Sequence, residues 1–327
     1  MIPDISFVIP AYNAEQTIEA AISSALAQVD VSVEVVVVDD ASHDQTAAIA
    51  SSFGAPVRVL RNEVNLGEGR SRQRAIEAAR GRWLAVLDAD DKVAPKRSRR
   101  LIACAESLGL PIAVDNVRMH RYDAAEQDGR HTHSWLMFSK RRLAGTASLN
   151  LEQFVRGSRP LRSWSEALGY LKPILRRDFV ETHALRYDSD LKIGADFYFL
   201  ARALHFAGAA AVEPHGGYHY TIYPDSVSAH MGADHVEAMI EADAAIQASL
   251  DLTSSERDAF EERSALLREA LEYVRLTSLV RQRDWDASVR HVVAHPRLLS
   301  HLHRPLWWRV KRRLAPIVER FPRRSRG

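Results

Sequence analysis

Cysteine is almost absent from this chain of 327 residues, in which Cys104 stands alone. One thiol excludes an intramolecular disulfide and a cysteine-rich zinc site, and it suits a reducing compartment. Nor is there an uninterrupted apolar run of about 18 residues, so no bilayer-spanning helix is expected. The opening MIPDISFVIP lacks the basic and long apolar regions of a secretory signal, and none is expected. Neither a G-x-G-x-x-G fingerprint nor a Walker lysine loop occurs, which disfavours a dehydrogenase or a P-loop enzyme. Internal repeats and low-complexity stretches are lacking too. A large excess of one charge is also missing, since the net is +2, but that figure conceals an asymmetry. Residues 297–327 carry a local +9, which leaves −7 for residues 1–296.

What is present reads as an ordinary soluble protein, 46% hydrophobic and 26% charged, with length for about two domains. Over the first 120 residues, short β-branched runs (ISFVIP, VEVVVVDD, VRVLR, RWLAVLDAD) alternate with helical patterns. Fully apolar strands alternating with helices imply an α/β fold with a mostly parallel sheet covered on both faces. Ligands of such sheets bind outside the carboxyl ends of the strands, where PAYN, DDASHD and DADD all fall. Mixed strands and helices follow to about residue 225. Residues 233–283 read as helical, with Phe260, Leu267, Leu271 and Val274 on one stripe. The pattern divides into an α/β part (1–115), a mixed part (116–230), a helical region (231–296) and a basic amphipathic tail (297–327).

Three segments carry candidate chemistry. In VVVVDDASHDQT, Asp39 and Asp40 can accept hydrogen bonds from a base or ribose, while Asp44 suits the cap of the next helix. In NLGEGRSRQRAIEAARG, two glycines open a helix bearing Arg70, Arg72 and Arg74, either an anion site or a solvated basic face. In VLDADD, alternation sends Asp88 and Asp90 to the same side of an extended chain, where two carboxylates can hold a divalent cation.

In this order and spacing, SFVIPAYNAEQTIEAAISSALAQ, EVVVVDDASHDQT and NLGEGRSRQRAIEAARGRWLAVLDADD resemble glycosyltransferase family 2, with IGADFYFLARAL as a looser fourth match. The resemblance implies a GT-A glycosyltransferase domain over residues 1–230, with a nucleotide-sugar-binding half (1–115) and an acceptor-side half (116–230), an inverting transfer and Mg²⁺ or Mn²⁺ as cofactor. It implies that Pro10, Ala11 and Tyr12 line the nucleotide pocket, that Asp39 reads the uracil edge, and that Arg72 lies near base and phosphate. Asp88, followed by Ala89, would contact the donor ribose, Asp90 would ligate the metal, and Asp196 would be the catalytic base. Two departures are visible: Ala195 precedes Asp196 where the family usually has Glu, and Gln73 follows Arg72 where Asn is usual.

On the acceptor side, Trp164 could stack on a sugar, and Arg162, Lys172 or Arg176 could meet an anionic acceptor, or together form a packed Trp with a basic rim. His219 or His230 could approach the diphosphate or metal, or be a satisfied or exposed histidine. His291 and His295 are four apart on a helical pattern, but no third ligand stands near them in sequence, so they read as structural or exposed. Cys104 reads as a core residue under a helix. The tail RPLWWRVKRRLAPIVERF segregates Leu306, Val310, Leu314, Ile317 and Phe321 from its arginines. That pattern fits an interfacial membrane helix, with a packed helix or a nucleic-acid arm as alternatives.

The expected enzyme is a cytoplasmic glycosyltransferase, peripheral on the inner membrane face. It would use a UDP-sugar and a lipid-linked or other saccharide acceptor in exopolysaccharide assembly, with no nucleic acid partner. A sugar nucleotidyltransferase would open on a Gly-rich basic loop, which IPAYNAEQT is not. A non-catalytic nucleotide-sugar binding module would have no need of Asp196.

Overall fold

The computed structural model describes residues 2–121, 134–138, 146–158, 168–188, 191, 193–223 and 232–298. The core is a mixed sheet built on β1 (Ile5–Ala11), β2 (Val33–Asp39), β3 (Val57–Arg61) and β4 (Trp83–Val86). Its continuation comprises β5 (Lys92–Val93), β6 (Ile112–Arg121), β7 (Ser134–Leu136), β8 (Ser148–Asn150), β9 (Ile174–Arg176) and β10 (Ala209–Ile222). The strand order is β3-β2-β1-β4-β9-β6-β10-β5, with β7 on β6 and β8 on β10. From β3 to β4 all pairs are parallel, and β6–β10 is parallel as well. Antiparallel β9 joins these two parallel blocks, between β4 and β6.

The β-branched runs are buried on both sides, as a helix-covered parallel sheet requires: every residue of β1 and all of β2 but Val33 lie out of solvent. Pro10 is tolerated in β1 because pairing with β4 ends at Val8–Val86, so the ladder on that side has already stopped. Register then puts Ala11, Asp39 and Arg61 side by side at the carboxyl ends of three neighbouring strands.

Helices α1 (Ile18–Leu26), α2 (Thr46–Ser52), α3 (Glu68–Ala78) and α4 (Arg97–Leu108) cover this half. The helix after DDASH starts at Thr46, two residues past Asp44, whose Oδ1 accepts from the Thr46 amide at 3.0 Å. Cys104 is only partly buried, on α4 against the core. Short helices α5 (Leu151–Gly157) and α6 (Arg177–Thr182) precede α7 (Ala195–Ala207).

The C-terminal helices are α8 (Ala233–Ser249), α9 (Ser254–Arg281) and α10 (Trp285–Ala294). Phe260, Leu267 and Leu271 of the expected stripe are buried, and Val274 packs beside them. A capping box in which Thr253 and Glu256 satisfy each other's backbone amides starts α9. Beneath it, buried Asp243 of α8 accepts from Tyr198 of α7 at 2.9 Å and from Arg263 and Ser264 of α9. That network ties the C-terminal helices to the helix that carries Asp196. No helix among the described residues is long and apolar enough to cross a membrane. The tail from residue 299 onward lies outside the described residues.

Candidate active site

The VLDADD strand ends where the sequence placed it, but its aspartates do not alternate. After Leu87, whose amide still bonds Val8 of β1, the chain turns, and the Asp91 amide closes on the Asp88 carbonyl at 3.1 Å. The three carboxylates therefore go to three environments. Asp88 points into the protein, Asp90 is exposed, and Asp91 is buried.

Asp88 belongs to a ring of charges. Arg72 on α3 donates through Nη2 to Asp88 Oδ1 at 2.5 Å and through Nη1 to Asp196 Oδ1 at 2.5 Å. Lys172 closes the ring, its Nζ lying 2.6 Å from Asp88 Oδ2 and 2.7 Å from Asp196 Oδ2. Glu68, one turn before Arg72 on α3, takes a further guanidinium hydrogen bond, and the Tyr187 hydroxyl donates to Asp196 Oδ1 at 3.1 Å. Arg72 and Lys172 are almost fully buried, at 3% and 5% side-chain exposure, so both cations depend on these carboxylates.

Burial alone would raise the Asp88 carboxyl, but Lys172 and Arg72 outweigh it and hold the group well below the usual carboxylate range. Asp196 follows the same logic: burial pushes it up, and Arg72 with Lys172 brings it below its ordinary value. In the free protein Asp196 is thus an ionised, cation-bound carboxylate. Asp90 goes the other way, raised to about 6 by desolvation and by the Asp88 charge. Asp91 is driven well above the carboxylate range by burial and by Asp90, while accepting from the Tyr218 hydroxyl at 2.7 Å and the Thr221 amide at 2.9 Å.

At the neighbouring strand ends, Asp39 is fully buried, and neither of its carboxylate oxygens has a hydrogen-bond partner. Arg61 Nε lies 3.1 Å from Oδ2, near enough for an ion pair but misaligned for a hydrogen bond. Pro10 and Ala11 are buried beside it, and Tyr12 stands 48% exposed at the end of β1. A buried acceptor without donors next to an open aromatic ring is what a base-reading pocket needs.

Some expected residues are elsewhere. Asp40 was expected to face the donor, but its oxygens are taken by Asn62 Nδ2 at 2.6 Å and by the amides of Leu66 at 2.9 Å and Gly67 at 2.8 Å. It shapes the loop that delivers α3, with Gly67 at φ 87 making the turn into the helix. Arg176 is at the opposite end of the sheet, because antiparallel β9 pairs it with Trp83, the first residue of β4. There it is exposed and forms an ion pair with Asp178 at 2.6 Å. His219 lies between Tyr218 and Tyr220, whose hydroxyls both feel Asp88 and Asp91, so strand alternation turns it to the other face. Its Nδ1 there meets His120 Nε2 at 2.9 Å. Lys172 is in the ring itself rather than on an acceptor rim. Ala89 is partly buried in the turn between Asp88 and Asp90. Arg162, Trp164 and His230 lie outside the described residues.

Several supporting residues escaped the sequence reading. Glu68 was discoverable from its i,i+4 spacing to Arg72. Arg97 and Asp115 were not: this ion pair, 2.8 Å long and 1% exposed on each side, joins the start of α4 to β6. Arg97 also donates to the Lys172 carbonyl at 2.5 Å and sits over the Tyr218 ring, so it positions two elements of the site.

The chain was compared with known proteins at the level of sequence and of fold. The family description "Glycosyl transferase family 2" matches residues 6–164. Succinoglycan biosynthesis protein ExoO of Rhizobium meliloti (strain 1021) is 42% identical over 97% of this chain and 89% of its own length. The crystal structure of S. aureus TarS 1-349 in complex with UDP-GlcNAc superposes with a TM-score of 0.59 at 21% identity, covering 78% of this chain and 70% of that one. Mannosyltransferase PcManGT from Pyrobaculum calidifontis, in complex with GDP-Man and Mn2+, gives 0.55 at 14% identity over 90% and 82% of the two chains. These two likenesses establish the fold, and it is GT-A. Strand-end carboxylates, a mixed sheet of this order and an ExoO-like sequence along nearly the whole chain converge: the protein belongs to glycosyltransferase family 2.

Proposed function

We propose that this glycosyltransferase is an inverting, metal-dependent enzyme that moves a sugar from a UDP-sugar to a membrane-associated saccharide acceptor in polysaccharide assembly. The observation that carries the donor is Asp39, a buried carboxylate without hydrogen-bond partners at a strand end, beside the open ring of Tyr12. The N3–H of uracil is a donor suited to that vacancy. A relative named for succinoglycan biosynthesis supports the polysaccharide setting.

The residues present fit a divalent cation. Asp90 makes no ion pair among the described residues, and it is raised to about 6 by burial and by Asp88, as expected of a carboxylate short of positive charge. Asp90 would hold Mg²⁺ or Mn²⁺, and the ion would supply Lewis-acid neutralisation of the departing diphosphate. Asp196 accepts the proton of the acceptor hydroxyl as its oxygen attacks the anomeric carbon. The bond to the diphosphate breaks on the opposite face, UDP leaves with the electron pair, and configuration inverts. Arg72 and Lys172 are shared between Asp88 and Asp196. A donor diphosphate that draws either cation loosens its hold on Asp196, and this raises the basicity of Asp196 when the donor is in place. The basic tail would bring the enzyme to an anionic membrane surface where a lipid-linked acceptor is presented.

The test is Asp196→Asn, measured by a sugar-transfer assay and by calorimetry of UDP binding on one preparation. Transfer should fall by about 10²–10⁴-fold. UDP binding should hold or tighten, because Arg72 and Lys172 then lose one of the carboxylates that hold them and keep Asp88. Undiminished transfer, or loss of transfer and binding together, would remove Asp196 from the role of base.

A further inference from the structure

A second constellation of ligand atoms lies away from the strand ends, in the C-terminal helices. His291 and His295 are one turn apart at the end of α10, and α9 brings Glu272 against both. His291 Nε2 lies 3.2 Å and His295 Nε2 3.5 Å from the same oxygen, Glu272 Oε2. One ligand atom from each of the three residues falls within 4.8 Å of the others. We propose that Glu272, His291 and His295 form a zinc-binding site that fastens α10 to α9.

The geometry is close to what the ion needs. Zn²⁺ takes His nitrogen and carboxylate oxygen at about 2.0–2.1 Å in a tetrahedral arrangement, which sets neighbouring ligand atoms about 3.3 Å apart. Both imidazoles approach Oε2 at nearly that spacing. The carboxylate is already oriented, since Arg275 Nη1 lies 2.8 Å from its other oxygen, Oε1, and Arg275 is itself held by Glu237 of α8 at 2.7 Å. Such a partner fixes a ligating carboxylate and tunes its basicity. Glu272 and His291 are withdrawn from water, at 19% and 16% exposure, whereas His295 is 43% exposed and leaves a path for the ion.

The backbone presets His295 as well. Its amide bonds the His291 carbonyl at 3.0 Å, and the next turn (Pro296–Leu298) drives Leu298 into the core at 1% exposure. The ion replaces one contact: His291 Nε2, 3.0 Å from the Glu272 carbonyl, ligates through its lone pair in the neutral tautomer whose single ring hydrogen is on Nδ1, and its contact with that carbonyl is given up. Three protein ligands leave the fourth position to water. The chemical class follows from the donors, since two imidazoles and one carboxylate favour zinc-like transition ions over Mg²⁺ or Ca²⁺.

The experiment uses the full chain, stripped with chelator, then dialysed against Zn²⁺, with bound metal counted and thermal unfolding recorded. The Asp90→Asn background removes any contribution from the donor site. One equivalent of Zn²⁺ should remain in both the parent and Asp90→Asn proteins, and Zn²⁺ should raise their unfolding temperature. Co²⁺ should give the intense visible absorption of a tetrahedral site. Glu272→Gln, His291→Gln and His295→Gln should each weaken Zn²⁺ binding by about tenfold or more. His295→Gln, at the most exposed ligand, should unfold like the parent when both are metal-free, which separates ligation from folding. No retained Zn²⁺, or Zn²⁺ retained equally by the three variants, would reduce the cluster to an imidazole–carboxylate contact and overturn the proposal.

Discussion

Replacing Asp39 by Asn should make the free protein more stable and a poorer donor binder, two effects of opposite sign from one atom pair. In the free protein both carboxylate oxygens are buried without a hydrogen bond, an arrangement that costs about 1–3 kcal/mol or more for a charged group. Asn keeps the shape and removes the buried charge. What it gives up is the ion pair with Arg61, whose side chain is 64% exposed, and such pairs contribute about 0–1 kcal/mol. The balance favours the variant by about 1 kcal/mol, or about 2 °C in unfolding temperature for a chain of this size.

Donor binding moves the other way. A hydrogen bond from the base to a buried carboxylate contributes about 1.5–3 kcal/mol, and Asn also turns an amide donor toward the N3–H. UDP affinity should fall by about 10- to 150-fold. Differential scanning fluorimetry without ligand and calorimetry with UDP read the two effects separately. A destabilised free variant would mean that Asp39 is satisfied in solution. Unchanged UDP affinity would mean that the base is read elsewhere, and either result refutes the reasoning.

Other outcomes follow from neighbouring contacts. Asp115→Asn strips the buried partner of Arg97 and should destabilise the protein by about 3–5 kcal/mol in denaturant unfolding, because an uncompensated cation is left inside. Asp90→Asn should preserve stability and abolish the Mn²⁺ dependence of UDP binding; calorimetry with and without Mn²⁺ checks this, and a retained dependence would remove Asp90 as a ligand. Cutting the chain after His303 should abolish salt-sensitive sedimentation with anionic vesicles, since each basic residue near such a surface contributes about 1 kcal/mol. Equal sedimentation of the cut protein would exclude the tail as the membrane contact.

The strand ends were legible because burial and charge are written locally. A run such as VEVVVVDD can only be a covered strand that meets water at its aspartates. The division of labour within each aspartate pair was not legible. Asp39 and Asp40 look alike in sequence, and only the course of residues 62–67 decides that Asp40 is consumed by the backbone while Asp39 is left bare. Extended alternation failed for Asp88 and Asp90 because the chain turns at Ala89. Long-range pairing hid the rest. Lys172 reads as a surface cation until β9 is found antiparallel between β4 and β6, which brings it to Asp88. The same register carries Arg176 to the far end of the sheet. Glu272, the ligand missing beside His291 and His295, needed the α9–α10 hairpin to appear.

The charges around the site bear on the proposed pairing of a cation with the donor. Burial and the neighbouring aspartates raise the Asp91 carboxyl well above the usual range, which disfavours its charged form. Glu68, Asp88, Asp90 and Asp196 then stand against Arg72 and Lys172, four negative groups against two positive ones. A diphosphate entering this surrounding is repelled by the excess, and Asp90, with no ion pair among the described residues, is where that excess is least compensated. The two buried cations can be drawn only partly toward the phosphates, because Asp88 and Asp196 would otherwise be left buried without partners. A divalent cation held by Asp90 would offset the excess while leaving the ring in place. The ring thus holds Asp196 in place in the free protein, and under the proposed function it would admit the anionic donor together with the charge that the residues themselves lack.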